Sequence, residues 1–490
     1  MSTARILSLA PLQIAQALIG FGAIAAFTRL MSAEDFGRYA LALSISMAAH
    51  TLAFTWAESA AFRFFAAARA EKRLADHFAT LLALAITLGL GVIAITAGAL
   101  AFAGLRDDIA ALSAFAAGAA VLRFITRLGR ESDRAALAFG RYAVLETVYI
   151  VAGFAVGVAL LVMFDFGPAA PFAGLLAAGA LVALIDLPRL MRDAHGGQTS
   201  LARSISYASY GAPLALALAV DLGVQAIARL VLAGEAGTAP LGAYAAAFGL
   251  ARALDIVFMG VSAAFAPLVF AAYEEKGAGA ARDAARGGFV LLAAITIPAS
   301  IGLALLAQPV ATLMVGEALR AETAAALPWL ALAGLMSGFG LYYWSEAFQL
   351  SRRTGQRALL MLAPGAVQLA LTAWLAGAHG AVGAAVGAAA GATVGAVVLA
   401  LAGQRLLPLP FPAGQLARIC AAAALMAIVV IAFPGAHTTL GLFQSAALGA
   451  SIYGIAALAL NVMRARDFAA AALRAAQSRF HPISSPANAD

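Results

Sequence analysis

Four ionisable side chains lie deep inside long apolar runs of this sequence: His50, Asp221, Arg252 and Asp255. A charge at the centre of a bilayer costs about 2.5 to 3.5 kcal/mol, so such side chains usually face a cavity or a partner. Arg252 and Asp255 are three residues apart on one helical face and can neutralise each other. His50, Asp221 and Asp255 predict coupling or gating chemistry inside a membrane and Arg252 predicts ligand binding, with a structural polar contact between helices as the alternative.

A second set of ionisable residues lies nearer the ends of the same runs. Its members are Glu58, Arg63, Arg123, Glu146, Asp186 and Glu346, with Arg29 and Arg229 at the opposite ends of their runs. Arginines near the end of a span often extend to the lipid headgroups, which would give them a purely structural role. Glu58 and Glu346 are further candidates for coupling or gating.

The elements that position these residues are predicted to be transmembrane helices. Of the 490 residues, 63% are apolar and only 11% are charged. About 20 apolar residues cross the hydrocarbon of a bilayer, and the sequence holds about 14 such runs. The predicted spans are 9–31, 39–62, 79–103, 109–127, 142–164, 172–190, 206–232, 241–270, 288–307, 327–350, 358–378, 380–403, 417–434 and 441–463. The predicted fold class is an all-α polytopic membrane protein.

Positive charge is distributed unevenly over the predicted loops. With the N-terminus placed inside, all but six of the 31 Lys and Arg residues fall on the inner side. The six exceptions are Arg29, Arg38, Arg106, Arg229, Arg252 and Arg320. Because positive loops stay in the cytoplasm, both termini are predicted to be cytoplasmic. The net charge of +7 then reflects orientation and contact with anionic lipid, and it disfavours a nucleic-acid partner.

One segment of the first half recurs in the second half. In residues 28–42 and again in residues 228–247, an Arg-Leu pair that ends one span is followed by Gly-x-Tyr-Ala at the start of the next. Six spans, an even number, precede the second copy, so both copies face the same way. This predicts two six-helix lobes related by a parallel pseudo-repeat, as in transporters that bind substrate between lobes.

The repeat sets the predicted domain boundaries. The lobes are residues 1–205 and 206–403, followed by two appended spans in 404–463 and a cytoplasmic tail, 464–490. In this register His50 and Asp255 occupy matching positions in the two lobes. The match predicts that this pair links protonation to the conformational switch.

Several catalytic motifs are absent from the sequence. Neither lysine, Lys72 or Lys276, follows a glycine, so there is no phosphate-binding loop for a nucleotide. No two of the six histidines lie four residues apart, so there is no helical zinc-protease pair. The single cysteine, Cys420, can form no internal disulfide. The sequence therefore predicts no enzyme, no catalytic residue, no metal and no cofactor.

The sequence resembles one transporter family. Arg29–Ala42 looks like the first outer loop of bacterial polysaccharide-export flippases of the multidrug/oligosaccharidyl-lipid/polysaccharide (MOP) exporter superfamily. The resemblance continues through Phe139–Glu146, Leu241–Ala247 and Ala347–Arg353, which together cover most of the chain. Relatives often carry an acidic residue just before the Arg-Leu that ends the seventh span, but this chain has Ala228 there. A salt bridge expected at that position is therefore not predicted.

The resemblance implies a flippase that moves a polyprenyl-pyrophosphate glycan from the inner to the outer leaflet by alternating access, for surface polysaccharide synthesis. Its anionic headgroup would be attracted by arginines, and the predicted substrate-binding residues are Arg29, Arg63, Arg123 and Arg252. The implied location is the bacterial cytoplasmic (inner) membrane. The implied partners are the lipid-linked glycan and the bilayer, and the resemblance allows a loose association with a glycan polymerase or glycosyltransferases.

Three other functions remain open from the sequence. A multidrug or organic-cation antiporter on the same scaffold would use acidic cavity residues, for which Asp221, Asp255 and Glu346 are available. A peptidoglycan-precursor flippase differs only in its substrate. A membrane-bound glycan-processing enzyme is disfavoured because the outer loops are too short to carry acid and base groups.

Overall fold

The computed structural model describes residues 10–103, 107–433, 438–464 and 466 of the chain. The predicted outer loops at 104–108 and 434–440 are therefore described only in part. Most of the predicted cytoplasmic tail, 464–490, also lies outside the described residues.

The described part of the chain is 91% helical and contains no strand. Its α-helices are α1 Ala10–Leu30, α2 Ala33–Arg63, α3 Phe65–Ala70, α4 Leu74–Ala103, α5 Asp107–Ala135, α6 Phe139–Phe164, α7 Ala170–Asp193, α8 Leu201–Ala236, α9 Thr238–Ala251, α10 Ala253–Leu305, α11 Ala307–Met314, α12 Glu317–Phe339, α13 Ser345–Leu350, α14 Thr354–Leu360, α15 Leu362–Gln404, α16 Ala413–Ala432 and α17 Thr439–Ala459. A π-helix, Gly340–Trp344, joins α12 to α13, and short 3-10 turns lie at Gly167–Ala169 and Val462–Arg464.

Twelve helical segments among the described residues are long and apolar enough to cross a membrane. Two of them, Thr238–Leu305 with 68 residues and Thr354–Gln404 with 51, are each long enough for two crossings. Each of these segments is broken at a glycine with positive φ, Gly277 (φ 80°) and Gly380 (φ 52°). Glycine adopts this conformation without the steric cost that a Cβ brings. The break at Gly277 falls between two predicted spans and the break at Gly380 at the first residue of a predicted span, so the prediction of an all-α protein with about 14 spans is confirmed.

Side-chain caps fix the start of several helices. The Ser32 hydroxyl accepts a hydrogen bond from the Asp35 amide at 3.1 Å, and Ser200 does the same for the Arg203 amide at 3.3 Å. Serine at these positions satisfies amides that have no partner within the helix. The caps set where α2 and α8 begin, and these two helices pack along each other.

The helices form two compact units. The first takes in the described residues up to Leu250, together with Met314–Ala326 and Met361–Ala388. The second takes in Ala251–Leu313, Leu327–Leu360 and the described residues from Ala389 onward. The division into lobes at residues 205 and 403 stays a prediction.

Within the first unit, the two copies of the repeated segment contact each other reciprocally. A Cβ at Gly37 would overlap the backbone of Thr238, and a Cβ at Gly242 would lie 2.9 Å from the Ala33 carbonyl oxygen. In the repeat register Gly37 corresponds to Gly242 and Ala33 to Thr238. Equivalent residues therefore exchange contacts, as they do across any two-fold axis.

Candidate functional site: an arginine–carboxylate network

The candidate site is a set of ion pairs among four helices of the first unit, here called the arginine–carboxylate network. Its members are His50 and Glu58 on α2; Arg123, Arg127, Arg130, Glu131, Asp133 and Arg134 on α5; Arg141 and Glu146 on α6; and Asp186, Arg189 and Asp193 on α7. The α5 arginines follow one another at intervals of three or four residues, so one face of that helix carries them all.

Glu146 is the central carboxylate of the network. Arg123 donates to both of its oxygens, at 2.7 and 3.3 Å, and Arg130 lies 2.6 Å from one of them. The two guanidinium groups also lie over the Tyr149 ring, 4.3 and 5.2 Å from its centroid. Arg130 is only 1% exposed and donates to the Thr126 hydroxyl at 2.7 Å. One buried and one half-buried cation thus share one carboxylate, and the aromatic face adds a weaker attraction.

Glu58 links the network to His50. Its carboxylate lies 2.9 Å from Nε2 of His50 and 3.5 Å from Arg127. His50 and Glu58 are eight residues apart on α2, close to two helical turns, so they share a face. Glu58 is buried, and its carboxylate therefore depends on these neighbours for compensation. The structure gives His50 a partner within its own helix.

Arg127 and Arg134 flank Glu131. Arg134 lies 2.7 Å from this carboxylate and sits over the Phe62 and Tyr142 rings, at 5.2 and 5.7 Å. Arg127 approaches Glu131 only to 3.4 Å, and 36% of its side chain is exposed. Arg127 is therefore held more loosely than Arg134.

A second group of ion pairs joins α5 and α6 to α7. Arg141 lies 2.6 Å from Asp186, and Arg189 lies 2.6 Å from Asp133, whose other oxygen is 3.7 Å from Arg141. The α5 backbone allows this approach because position 129 is glycine; a Cβ at Gly129 would overlap the Asp186 carboxylate. These contacts fasten the ends of three helices together.

The remaining predicted residues of the first unit lie outside the network. Arg63 ends α2, is exposed, and lies 5.9 Å from the Tyr210 ring centroid. Arg29 ends α1, is exposed, and donates to the Ala25 carbonyl at 2.7 Å. Asp221 is exposed in the middle of α8. Arg229, near the end of α8, donates to the hydroxyl of Ser44.

Arg252 and Asp255 lie at the junction of α9 and α10. The Arg252 carbonyl accepts a hydrogen bond from the Asp255 amide at 3.1 Å, but their side chains form no ion pair within the described part of the chain. The direct contact expected from their spacing is therefore absent from the described residues, although the positive charge of Arg252 still acts on the Asp255 carboxylate. The spacing argument assumes a continuous helix, whereas Arg252 precedes the first residue of α10 and its side chain is exposed.

Glu346 is a buried carboxyl of the second unit. It is 3% exposed, and neither of its oxygens has a hydrogen-bond partner among the residues that the structure describes. It lies two residues after the end of the π-helix Gly340–Trp344, an element often found at functional positions. The adjacent Ser345 hydroxyl donates to the Gly340 carbonyl and accepts from Arg357, both at 2.8 Å.

The structure thus brings three predicted site residues, His50, Glu58 and Arg123, into one network, and the roles assigned to all nine stay predictions. Residues that the site prediction omitted make up much of the network: Arg127, Arg130, Glu131, Asp133, Arg134, Arg141, Arg189 and Asp193. For the five of these residues on α5, helical spacing is the signal that the sequence offers; Arg141, Arg189 and Asp193 lie on α6 and α7. Within the described ranges, no group of three or more His, Cys, Asp or Glu residues is arranged to hold a metal ion.

Comparisons with known proteins agree with this architecture. A family model described as polysaccharide biosynthesis protein matches residues 26–321. The structure of "Lipid II flippase MurJ, inward closed conformation" is similar with a TM-score of 0.73 and 14% identity, covering 94% of this chain and 99% of that chain. An inward-facing multidrug resistance MATE family transporter of the MOP superfamily gives a TM-score of 0.59 and 18% identity, covering 84% and 95%. No curated protein sequence matches this chain.

The family match takes in more than half of the chain. The two structures share its fold, and the predicted membership of the MOP superfamily is confirmed. The chain is therefore a multi-pass membrane protein that belongs to the polysaccharide biosynthesis protein family.

Proposed function

We propose that this protein is a flippase that moves a polyprenyl-pyrophosphate glycan from the inner to the outer leaflet of the bacterial cytoplasmic membrane. The observation that carries the proposal is the arginine–carboxylate network, which concentrates guanidinium groups on membrane-spanning helices of a polysaccharide biosynthesis protein. The likeness to a lipid II flippase supports a lipid-linked substrate. In this proposal both termini are cytoplasmic and the two predicted lobes alternate in access.

The pyrophosphate is the part of the substrate that cannot cross hydrocarbon unaided. Arginine suits it because a planar fork can form paired charge-assisted bonds to phosphate oxygens. Arg29, Arg63 and Arg252 have exposed side chains and are proposed to contact it. Arg123 is proposed to attract the pyrophosphate through its positive charge. It makes no paired bonds to the ligand, because its guanidinium is already bonded to the Glu146 carboxylate.

Proton binding is proposed to drive the conformational switch. His50 and Glu58 form one titratable pair, and Asp255 is its counterpart in the predicted second lobe. Asp221 and Glu346 are proposed as further gating carboxyls. A carboxyl group that is buried without a partner is stable only when neutral, so a change in its protonation must accompany a change in its surroundings.

The test is translocation by the purified protein in proteoliposomes. A fluorescent glycan on a short polyprenyl pyrophosphate is followed by its accessibility to an external quencher. We expect wild-type protein to equilibrate the probe between leaflets, and the Arg63→Ala and Arg252→Ala variants to lose most of this activity. Full translocation by both variants, at equal protein levels, would remove these arginines from the site. No translocation by wild-type protein would overturn the proposed function.

A multidrug or organic-cation antiporter is the second candidate. It is favoured by the similarity to a multidrug resistance transporter and by the buried Glu346 carboxyl, which has no hydrogen-bond partner among the described residues and suits a cationic ligand. Proton-driven export of ethidium from the same proteoliposomes, without glycan translocation, would establish it. A lipid II probe in a parallel assay separates a peptidoglycan-precursor flippase from an exporter of other glycans.

A further inference from the structure

One arginine of the network differs from the others in how it is held. Arg123, Arg130, Arg134, Arg141 and Arg189 each have a carboxylate oxygen at 2.6 or 2.7 Å. The distances from Arg127 to its two carboxylates, Glu58 and Glu131, are 3.5 and 3.4 Å. Charge-assisted bonds between guanidinium and carboxylate normally measure about 2.7 to 2.9 Å.

Exposure adds to this loose attachment. The Arg127 side chain is 36% exposed, which is close to the 42% of Arg134, whereas that of Arg130, one turn along α5, is 1% exposed. Arg127 also lies over no aromatic ring among the described residues, unlike Arg123, Arg130 and Arg134. Its guanidinium can therefore turn to a ligand in water without breaking a short hydrogen bond.

We infer that Arg127 is an exchangeable cation. Its guanidinium dissociates from Glu58 and binds the pyrophosphate of a ligand, and the His50–Glu58 pair then takes up one proton from water. This inference rests on the proposed function, since it assigns a binding residue and a coupled proton to the same site. A pyrophosphate offers oxygens to both arms of the guanidinium fork, which neither Glu58 nor Glu131 does at present distances.

The proton follows from what remains beside Glu58. This carboxylate is 3% exposed, and the charged groups nearest to it are His50, Arg127 and Arg123. Arg123 is bonded to Glu146, so departure of Arg127 leaves His50, 2.9 Å away, as the group that can compensate the charge. A neutral imidazole gains one proton from water and becomes the cation of an ion pair, which avoids an uncompensated buried carboxylate.

The helices packed against α2 carry further ionisable groups. His77 on α4 and Tyr207 on α8 hydrogen bond to each other, Arg229 on α8 donates to the Ser44 hydroxyl of α2, and Asp221 lies in the middle of α8. Tyr210 on α8 faces Arg63 at the end of α2. His50 and Glu58 are the titratable pair in direct contact with each other and with Arg127, and because binding takes up a proton the affinity for the anion should rise as pH falls.

The experiment is calorimetric titration of the full-length protein in nanodiscs, in two buffers of different ionisation enthalpy at pH 7. The probes are farnesyl pyrophosphate and inorganic pyrophosphate, which separate a lipid headgroup from a soluble anion. We expect farnesyl pyrophosphate to bind wild-type protein with uptake of close to one proton. Inorganic pyrophosphate, which lacks the chain that partitions into lipid, should bind more weakly. Equal affinity for the two probes would indicate a soluble ligand and overturn the assignment to a lipid headgroup.

Three variants test the assignment of residues. Arg127→Gln should weaken binding about ten- to a hundredfold and abolish proton uptake, as expected for loss of paired bonds to a charged ligand. Glu58→Gln should bind at least as tightly as wild-type protein, because a competing carboxylate is gone, and should take up no proton. The control is Arg192→Gln, an exposed α7 arginine that donates to the Pro188 carbonyl, and it should behave as wild type.

The outcomes separate a binding role from a structural one. Wild-type affinity in Arg127→Gln would overturn the inference, and so would proton uptake that persists in Glu58→Gln. Weaker binding in Glu58→Gln together with a lower melting temperature would mean that Glu58 only holds the helices together. If Arg127→Gln folds poorly, Arg127→Lys is the alternative variant. It keeps the positive charge and should bind with intermediate affinity. Pyrophosphate binding that depends on Arg127 without glycan translocation would preserve this site and overturn the proposed function.

Discussion

Replacing Glu146 by glutamine should destabilise the protein more than any other single loss of a carboxylate from the network. The Glu146 side chain is 6% exposed, and it compensates both Arg123 at 2.7 Å and Arg130 at 2.6 Å. Glutamine keeps the shape but removes the charge, which leaves the buried Arg130 guanidinium beside that of the half-buried Arg123 with no carboxylate between them. Breaking a buried ion pair costs about 3 to 5 kcal/mol because the remaining charge is uncompensated.

The expected shift in melting temperature follows from this cost. Unfolding entropy of about 2.1 cal/mol/K per residue gives roughly 1 kcal/mol/K for a chain of 490 residues. A loss of about 3 to 5 kcal/mol therefore lowers the melting temperature by about 3 to 5 °C. Thermal unfolding of the purified protein in detergent, followed by intrinsic fluorescence, measures it. Glu274→Gln on α10 is the matched control, since Glu274 is exposed.

A second substitution separates charge imbalance from lost packing. Arg130→Met removes the buried cation, roughly preserves its volume, and leaves Glu146 bonded to Arg123 through both oxygens. Because two cations share one carboxylate, the melting temperature of Arg130→Met should fall by less than half the decrease seen in Glu146→Gln. Equal melting temperatures for Glu146→Gln and the Glu274→Gln control would refute this prediction. A lower melting temperature for Arg130→Met than for Glu146→Gln would refute it as well.

Three further predictions concern the repeat contact and the proposed transport. Gly37→Ala and Gly242→Ala should each lower the melting temperature, because a Cβ at either position meets backbone of the other copy, whereas Gly20→Ala should not, since nothing lies within 4 Å of its Cβ position. Asp255→Asn should translocate glycan without responding to a pH gradient across proteoliposomes; an unchanged response would leave Asp255 with a packing role only. Arg63→Ala, exposed at the end of α2, should lose translocation while melting like wild-type protein, and a large loss of stability would contradict a binding role.

Hydropathy was enough to predict the fold class. Runs of apolar residues gave the spans, and the two longest helical segments are interrupted at Gly277 and Gly380, inside or at the edge of the predicted connections 271–287 and 379. Helix ends were less predictable. The fourth predicted span ends at residue 127, but α5 continues to Ala135, because a helix need not stop where its side chains become polar.

That difference explains why the site prediction was incomplete. With the span ending at 127, Arg130 and Arg134 were counted among the loop charges that set orientation, and their ion pairs were not anticipated. The sequence places Glu146 and Arg123 twenty-three residues apart, so their contact depends on how α5 and α6 pack. His50 was matched with Asp255 by repeat register, but the same helix supplies Glu58 eight residues away. The contact between His50 and Glu58 depends on side-chain geometry, which the register of the internal repeat does not specify.

The balance of charge in the network bears on how such a site could select its ligand. Six arginines of the network are matched by six carboxylates, Glu58, Glu131, Asp133, Glu146, Asp186 and Asp193. An unmatched cluster of arginines within the bilayer would attract the headgroup of any anionic lipid. A matched cluster gives up a guanidinium only to a ligand that binds it better than the resident carboxylate does. Pyrophosphate, with more charge and more acceptor oxygens than a phosphodiester headgroup, is the stronger competitor. The long contacts of Arg127 would then determine how strongly a ligand must bind to displace its carboxylates. A change that shortens these contacts should reduce binding of pyrophosphate lipids without altering the fold.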